Sequence, residues 1–232
     1  MESYTKIIEL YGIPACGKST LANSFYSQYK EDCNIATSRD SWHEIKKSSV
    51  LKKIKSLHLK SFIDCYRLCR LFPRTEARKD MSIMITLLNT YIRNFQCKYS
   101  DYDIIINDSS LIQQIVSWER GENFHNRIDF VNMVNSYLDN FKDIIYVYCT
   151  LDVNIALKRI RHRGRNEGRL DKLIISNPDG IVSEYKNEVE RFDMITSILE
   201  KEGKNIIRFD MNKPTNILVG DLYKTLQNLH YV

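Results

Sequence analysis

The sequence predicts an α/β protein, a parallel sheet with helices on both faces. Two observations carry that expectation. Short apolar runs alternate with stretches of helical spacing, the order that builds parallel strands joined by crossover helices. The clearest run, residues 102–107 (YDIIIN), is apolar throughout its centre, as a strand buried on both faces must be. A chain of 232 residues suits one such domain with a substantial insertion.

The elements follow in order. Lys6–Tyr11 (KIIELY) is a strand that runs into a glycine loop. Residues 19–29 place Leu21, Phe25 and Tyr29 four apart, a helical face. Residues 34–37 are a short second strand. Residues 41–72 are long, basic and helical in pattern, ending at Pro73, and 74–97 read as another helix. After the third strand at 102–107 come helices over 109–119 and 125–140. Residues 143–149 (DIIYVYC) are the fourth strand. A helix over 153–162 leads into an arginine-rich loop. Residues 179–202 are a helix, 205–209 a fifth strand and 216–229 a last helix. Residues 39–97 exceed a simple crossover and read as a helical insertion.

Lys plus Arg number 34 and Asp plus Glu 29, a net of +5. The excess is concentrated. Residues 39–79 carry +8 and 158–172 carry +5, which leaves −8 for the remainder. No apolar run reaches the roughly 18–20 residues a membrane span requires, and the charged N-terminal stretch is not a secretory signal. Six cysteines show no zinc-binding spacing and fit small core residues in a reducing, cytoplasmic compartment.

The sharpest motif is Gly12-Ile13-Pro14-Ala15-Cys16-Gly17-Lys18-Ser19-Thr20, which fits G-x-x-x-x-G-K-[ST]. Glycines let the backbone wrap closely around phosphates. The N–H groups of Ala15, Cys16, Gly17 and their neighbours then form an anion nest, and the next helix turns its positive end toward it. Lys18 has the reach to meet β- and γ-phosphates, and the Ser19 hydroxyl is a hard ligand suited to Mg²⁺. Asp108 follows the third strand. It is expected as a general base, as a holder of a Mg²⁺-bound water, or as a helix N-cap. Ser109 and Ser110 follow it, not the Glu that activates water in many hydrolytic ATPases. Asn212-Lys213-Pro214-Thr215 lacks the Asp of an N-K-x-D base reader. Both absences favour transfer to an acceptor over hydrolysis.

The segment 157–171 holds five Arg and two Gly. Arg159 and Arg163 share a helical face. Gly164 and Gly168 allow a flap that carries Arg165 and Arg169. Guanidinium forks closing over a transferred phosphoryl group would stabilise its charge and exclude water. The loop has no aromatic residue for base stacking, so nucleic acid is not the expected partner. In the insertion, Arg39, with Trp42 and Arg74, is a candidate holder of an anionic acceptor. The lysines at 46–55 read as solvated surface, and an anionic membrane surface stays open as their partner.

The loop, the strand-end Asp and the arginine lid together resemble the P-loop nucleoside and nucleotide kinases, most of all the thymidylate kinases. Thr37-Ser38-Arg39-Asp40 looks like that family's T-R-E-P segment, Asp108-Ser109-Ser110-Leu111 like its D-S-S-[LI] stretch. Leu151-Asp152-Val153, with Arg159, Arg163-Gly164-Arg165 and Arg169-Leu170-Asp171, looks like its lid. The acceptor half departs from the pattern: no Arg follows Asp108, and the insertion replaces the usual nucleotide-binding helices. The resemblance implies a P-loop fold with strand order 2-3-1-4-5. It implies a single domain over 1–232, with 39–97 on the acceptor side and 158–172 as lid. It also implies ATP and Mg²⁺ as cofactors, Arg169 among the cofactor-binding residues, and the 210–214 loop against adenine. The expected activity is an ATP-dependent kinase for a nucleoside or nucleotide. A sugar or antibiotic acceptor, or a nucleotide-dependent regulatory protein binding RNA or membrane, are the alternatives, and a homodimer stays open.

Overall fold

A computed structural model describes residues 5–37, 63, 65–67, 88–90, 101–108, 111–118, 132, 134–136, 138–139, 144–163, 173–174, 176–177 and 180–229. The helices expected over 41–72, 74–97 and 125–140 lie largely outside these residues. Those described there at 63, 65–67, 88–90, 132, 134–136 and 138 are helical.

Five strands are present: β1 Lys6–Tyr11, β2 Ile35–Thr37, β3 Ile104–Asn107, β4 Ile144–Thr150 and β5 Ile206–Asp210. All pair in parallel, in the order β2-β3-β1-β4-β5. The order is the one implied by the kinase resemblance. Among the described residues, the helices given with full bounds are α1 Lys18–Tyr29, α2 Leu111–Trp118, α3 Val153–Arg163, α4 Ile181–Lys201 and α5 Thr215–Asn228. α1 packs on α5, while α4 packs on α2 and α3. The chain leaves β1 toward β2 but leaves β3 toward β4. The connections diverge, so the carboxyl ends of β1 and β3 bound a crevice, the place where open α/β sheets hold ligands.

Strand period fixes what each face presents. Register sets Ile8 and Leu10 of β1 beside Ile106 of β3 and beside Ile145 and Val147 of β4, an aliphatic face. The opposite face carries buried polar handles: Glu9, Tyr11, Asn107, Tyr146 and Tyr148. α4 serves this face. Thr196 gives its hydroxyl proton to Phe192 O at 2.6 Å, so Tyr11 donates to Thr196 Oγ1 at 2.9 Å. Tyr148 donates to Asp193 Oδ1 at 3.0 Å. Tyr11 and Tyr148 stack with centroids 5.1 Å apart, and the Arg208 guanidinium lies 5.5 Å from the Tyr148 ring centre. Burial raises the pKa of all three face tyrosines, Tyr11, Tyr146 and Tyr148, so they stay protonated, and Tyr11 and Tyr148 serve as donors. On the other side of the sheet, Tyr29 of α1 stacks on Tyr223 of α5 with centroids 4.1 Å apart. Among the described residues, no helix is long and apolar enough to cross a membrane.

Glu9 is the outlier, a carboxylate in the central strand with no exposed surface. Its Oε2 accepts the backbone N–H of Leu111 at 3.1 Å. That N–H opens α2 and has no partner within the helix. Glu9 therefore caps α2 from beneath, and α2 follows directly on Asp108 and the segment after it. Replacing Glu9 with Ala is expected to cost about 2 kcal/mol, the range for a buried donor stripped of its acceptor. Glu9→Gln, whose amide oxygen accepts the same bond, should recover most of it. Urea unfolding of the three proteins checks this, and an Ala variant as stable as the parent removes the capping role.

Candidate functional site

The loop after β1 owes its shape to three residues with left-handed backbone: Gly12 at φ 143°, Ala15 at φ 61° and Gly17 at φ 107°. Gly12 is forced by its neighbour, because a Cβ there would stand 2.3 Å from the carbonyl oxygen of Cys149 in β4. A turn bond from Cys16 N to Ile13 O closes the loop, and Leu21 N to Gly17 O starts α1. Gly17 at the helix start has no side chain to cap the first-turn N–H groups, which leaves them directed at the loop's interior.

Lys18 folds back over this loop. Its Nζ donates to Gly12 O at 2.9 Å and to Ile13 O at 3.0 Å, and lies 3.5 Å from Cys16 Sγ. These contacts hold the ammonium at the mouth of the nest. Around it opens a cavity of about 650 Å³. The loop from Pro14 to Thr20 forms its floor. Asp108, Gln113, Arg159 and Arg163 line it too, with Met211, Lys213, Thr215 and Leu218. Lys18, Arg159, Arg163 and Lys213 outnumber the single carboxylate of Asp108, so the cavity suits an anionic ligand.

The sequence-predicted residues are brought together where they are described. Ser19, Thr20 and Asp108 all line the cavity. Arg159 and Arg163 both line the cavity from α3, along the edge of the stripe that Ala156, Leu157 and Ile160 bury. Arg159 is already engaged. It donates to Cys16 O at 3.1 Å and to Met211 O at 3.3 Å, tying the phosphate loop to the loop after β5. That tie gives it a second task beside the one read from spacing. Arg39, Trp42, Arg74, Arg165 and Arg169 lie outside the described residues.

Two residues at the site carry no sequence motif. Gln113 of α2 accepts the Gly12 N–H at 3.3 Å with its Oε1 and lines the cavity next to Asp108. Glu9 had one signal, a charge inside an otherwise apolar strand. Among the described residues, no cluster of three His, Cys, Asp or Glu could cage a metal ion. Ser19 and Asp108 on one cavity fit Mg²⁺ all the same, since that ion takes one or two protein ligands and completes its shell with phosphate and water.

Comparison with known proteins agrees with the fold. No family model matches the chain, and no curated protein matches it in sequence. Solved structures do match along nearly its whole length. Deoxyadenosine kinase from M. mycoides, with bound dCTP, covers 96% of this chain and 99% of its own at 17% identity and a TM-score of 0.52. Thymidylate kinase from Candida albicans covers 100% and 95% at 14% identity and a TM-score of 0.56. The YorR protein from Bacillus subtilis, in complex with phosphorylated GDP, covers 97% and 98% at 15% identity and a TM-score of 0.52. At these identities the likeness is one of fold. The chain has the fold of the P-loop nucleoside and nucleotide kinases.

Proposed function

We propose that the protein is an ATP- and Mg²⁺-dependent kinase that phosphorylates a nucleoside or nucleotide. One observation carries the reading: a phosphate loop at the sheet's crevice opens into a single basic cavity that gathers Lys18, Ser19, Asp108, Arg159 and Arg163. Lys18 and the loop amides hold the β- and γ-phosphates, and Ser19 reaches Mg²⁺. The ion offsets phosphate charge when bound. Asp108 takes the proton of the acceptor hydroxyl or fixes a water on the ion. Arg159 and Arg163, with Arg165 and Arg169 from the lid, meet the charge that spreads over the transferred group's equatorial oxygens. Met211 and the rest of the 210–214 loop lie along the adenine.

Residues 39–97 form the acceptor side of the single domain and 158–172 the lid. Arg39, Trp42 and Arg74 are placed on the acceptor. A deoxyadenosine kinase and a thymidylate kinase among the structural neighbours support a nucleoside or nucleotide there. The absence of a hydrolytic Glu after Asp108 supports transfer over hydrolysis.

The test is ADP release from ATP·Mg²⁺ across a panel of deoxynucleosides, their monophosphates, sugars and aminoglycosides. At least one nucleoside or nucleotide should raise release more than about tenfold above the acceptor-free rate, and chelation of Mg²⁺ should return it to that baseline. Stimulation by a sugar or aminoglycoside alone would move the protein to the metabolite kinases. Acceptor-independent hydrolysis would overturn the transferase reading.

A further inference from the structure

The phosphate loop is held from two helices. Arg159 reaches in from α3 and takes the Cys16 carbonyl at 3.1 Å. Gln113 reaches in from α2, and its Oε1 accepts the N–H of Gly12, the first loop residue, at 3.3 Å. Phosphoryl transfer as described gives Gln113 no step. Yet it lines the same cavity as Lys18 and Asp108.

Gly12 is held on both its polar atoms. Its N–H goes to Gln113, and its carbonyl oxygen accepts Lys18 Nζ at 2.9 Å. Its φ of 143° belongs to glycine's wide backbone freedom, so a Gly12 released from one partner has other states open to it. The Gln113 bond therefore fixes the rotation that aims the Gly12 carbonyl, and with it the place of the Lys18 ammonium.

Gln113 stands on a firm support. Leu111, Ile112, Ile115 and Val116 of α2 are buried, and Glu9 Oε2 binds the Leu111 N–H at 3.1 Å. α2 is thus fastened to β1 at Glu9 and to the loop at Gly12, and Asp108 lies three residues before its start. At 3.3 Å the Gly12 bond is long, which leaves it room to tighten when the loop closes on a ligand.

We propose that Gln113 is a positioning residue of the phosphate loop. Through the Gly12 N–H it sets the loop and Lys18 for a polyphosphate, and it keeps both in register with the helix that follows Asp108. The ordering of Gly12 stands on the geometry alone. The consequence for polyphosphate binding rests on the nucleotide reading above.

The test uses the full chain. Amide hydrogen exchange followed by NMR reads the bond, and calorimetry with the ATP analogue AMP-PNP and Mg²⁺ reads its consequence. Gln113→Met keeps the length of the side chain and removes the acceptor. Its Gly12 amide should exchange about tenfold faster, the worth of one ordinary hydrogen bond. Its AMP-PNP affinity should fall by a similar factor, with the melting temperature within about 3 °C of the parent. Gln113→Glu, whose carboxylate oxygen accepts the same N–H, should restore slow exchange. Gln114→Met is the control, the same change one residue on, at a side chain whose Oε1 has no hydrogen-bond partner. It should leave exchange and affinity within about twofold of the parent. Where the Met variant does not fold, Gln113→Ala gives the same two readings. Unchanged Gly12 exchange without the Gln113 acceptor overturns the proposal. So does faster exchange with undiminished affinity, and so do equal losses in the Gln113 and Gln114 variants, which would assign the effect to α2 as a whole. A parent that binds no AMP-PNP counts against the nucleotide reading, and the exchange data alone then decide whether Gln113 orders Gly12.

Discussion

Lys18→Ala should lower phosphoryl transfer by at least about a thousandfold, on the order of 4 kcal/mol of transition-state stabilisation. The Nζ meets atoms of the loop, the carbonyls of Gly12 and Ile13 and the Cys16 sulfur, at a half-buried position. No core contact is removed, so the melting temperature should move by no more than about 3 °C. Stopped assays of ADP and phosphorylated acceptor, with a thermal melt on the same sample, separate the two effects. Unchanged turnover would remove the phosphate loop from the mechanism. A large drop in melting temperature would instead make Lys18 a structural residue, whose loss of activity says nothing about phosphate.

The largest effect on the loop itself is expected from Gly12→Ala. The added methyl would stand 2.3 Å from Cys149 O and 3.2 Å from its carbonyl carbon, with φ at 143°. Both obstacles are backbone in a central strand, so neither can rotate aside as a side chain would. Strain and overpacking together should cost about 2–4 kcal/mol. The Gly12 N–H would also be driven off Gln113. Nucleotide binding should become undetectable by calorimetry. Gly203→Ala is the control. Its φ of 72° is also left-handed, but nothing lies within 4 Å of the new methyl. It should lose only about 1 kcal/mol and bind nucleotide as the parent does. Equal losses at the two glycines would mean that conformational strain, not the wall of β4, shapes the loop.

Local signals in the sequence located most of the described elements. β1 falls on its expected bounds because an apolar run, broken only by Glu9, ends at a glycine. β3 and β4 fall within two residues of theirs, on runs that are apolar at their centres. The helix expected from Ser109 is described from Leu111 on, residues 109 and 110 lying outside the described residues, and Glu9 takes the Leu111 N–H in its first turn. Chain termini of helices are set by such caps, and this cap comes from 102 residues away. Gln113 was hidden likewise, since its bond to Gly12 spans 101 positions. Spacing put Arg159 and Arg163 on one face, but not the Met211 carbonyl that Arg159 grips from another strand's loop. The glycine motif pointed to Lys18 and Ser19, and the end of the third strand to Asp108; all three line the cavity. The polar and aliphatic faces of the sheet could not be told apart in runs apolar on both sides.

The parallel order also sets when the site can exist. β1 occupies the centre, and its two neighbours begin at Ile104 and Ile144. The residues that read as the phosphate loop leave the ribosome well before the wall that shapes Gly12, which is Cys149. At about 5–20 residues per second, synthesis of that wall trails the loop by roughly 7–27 seconds. Through that interval β1 is an apolar strand with both hydrogen-bonding edges open, a template for wrong partners. Low contact order is not available to this architecture. The cavity around Lys18 is therefore a late product of folding, and the nascent chain must keep β1 covered until β3 and β4 arrive.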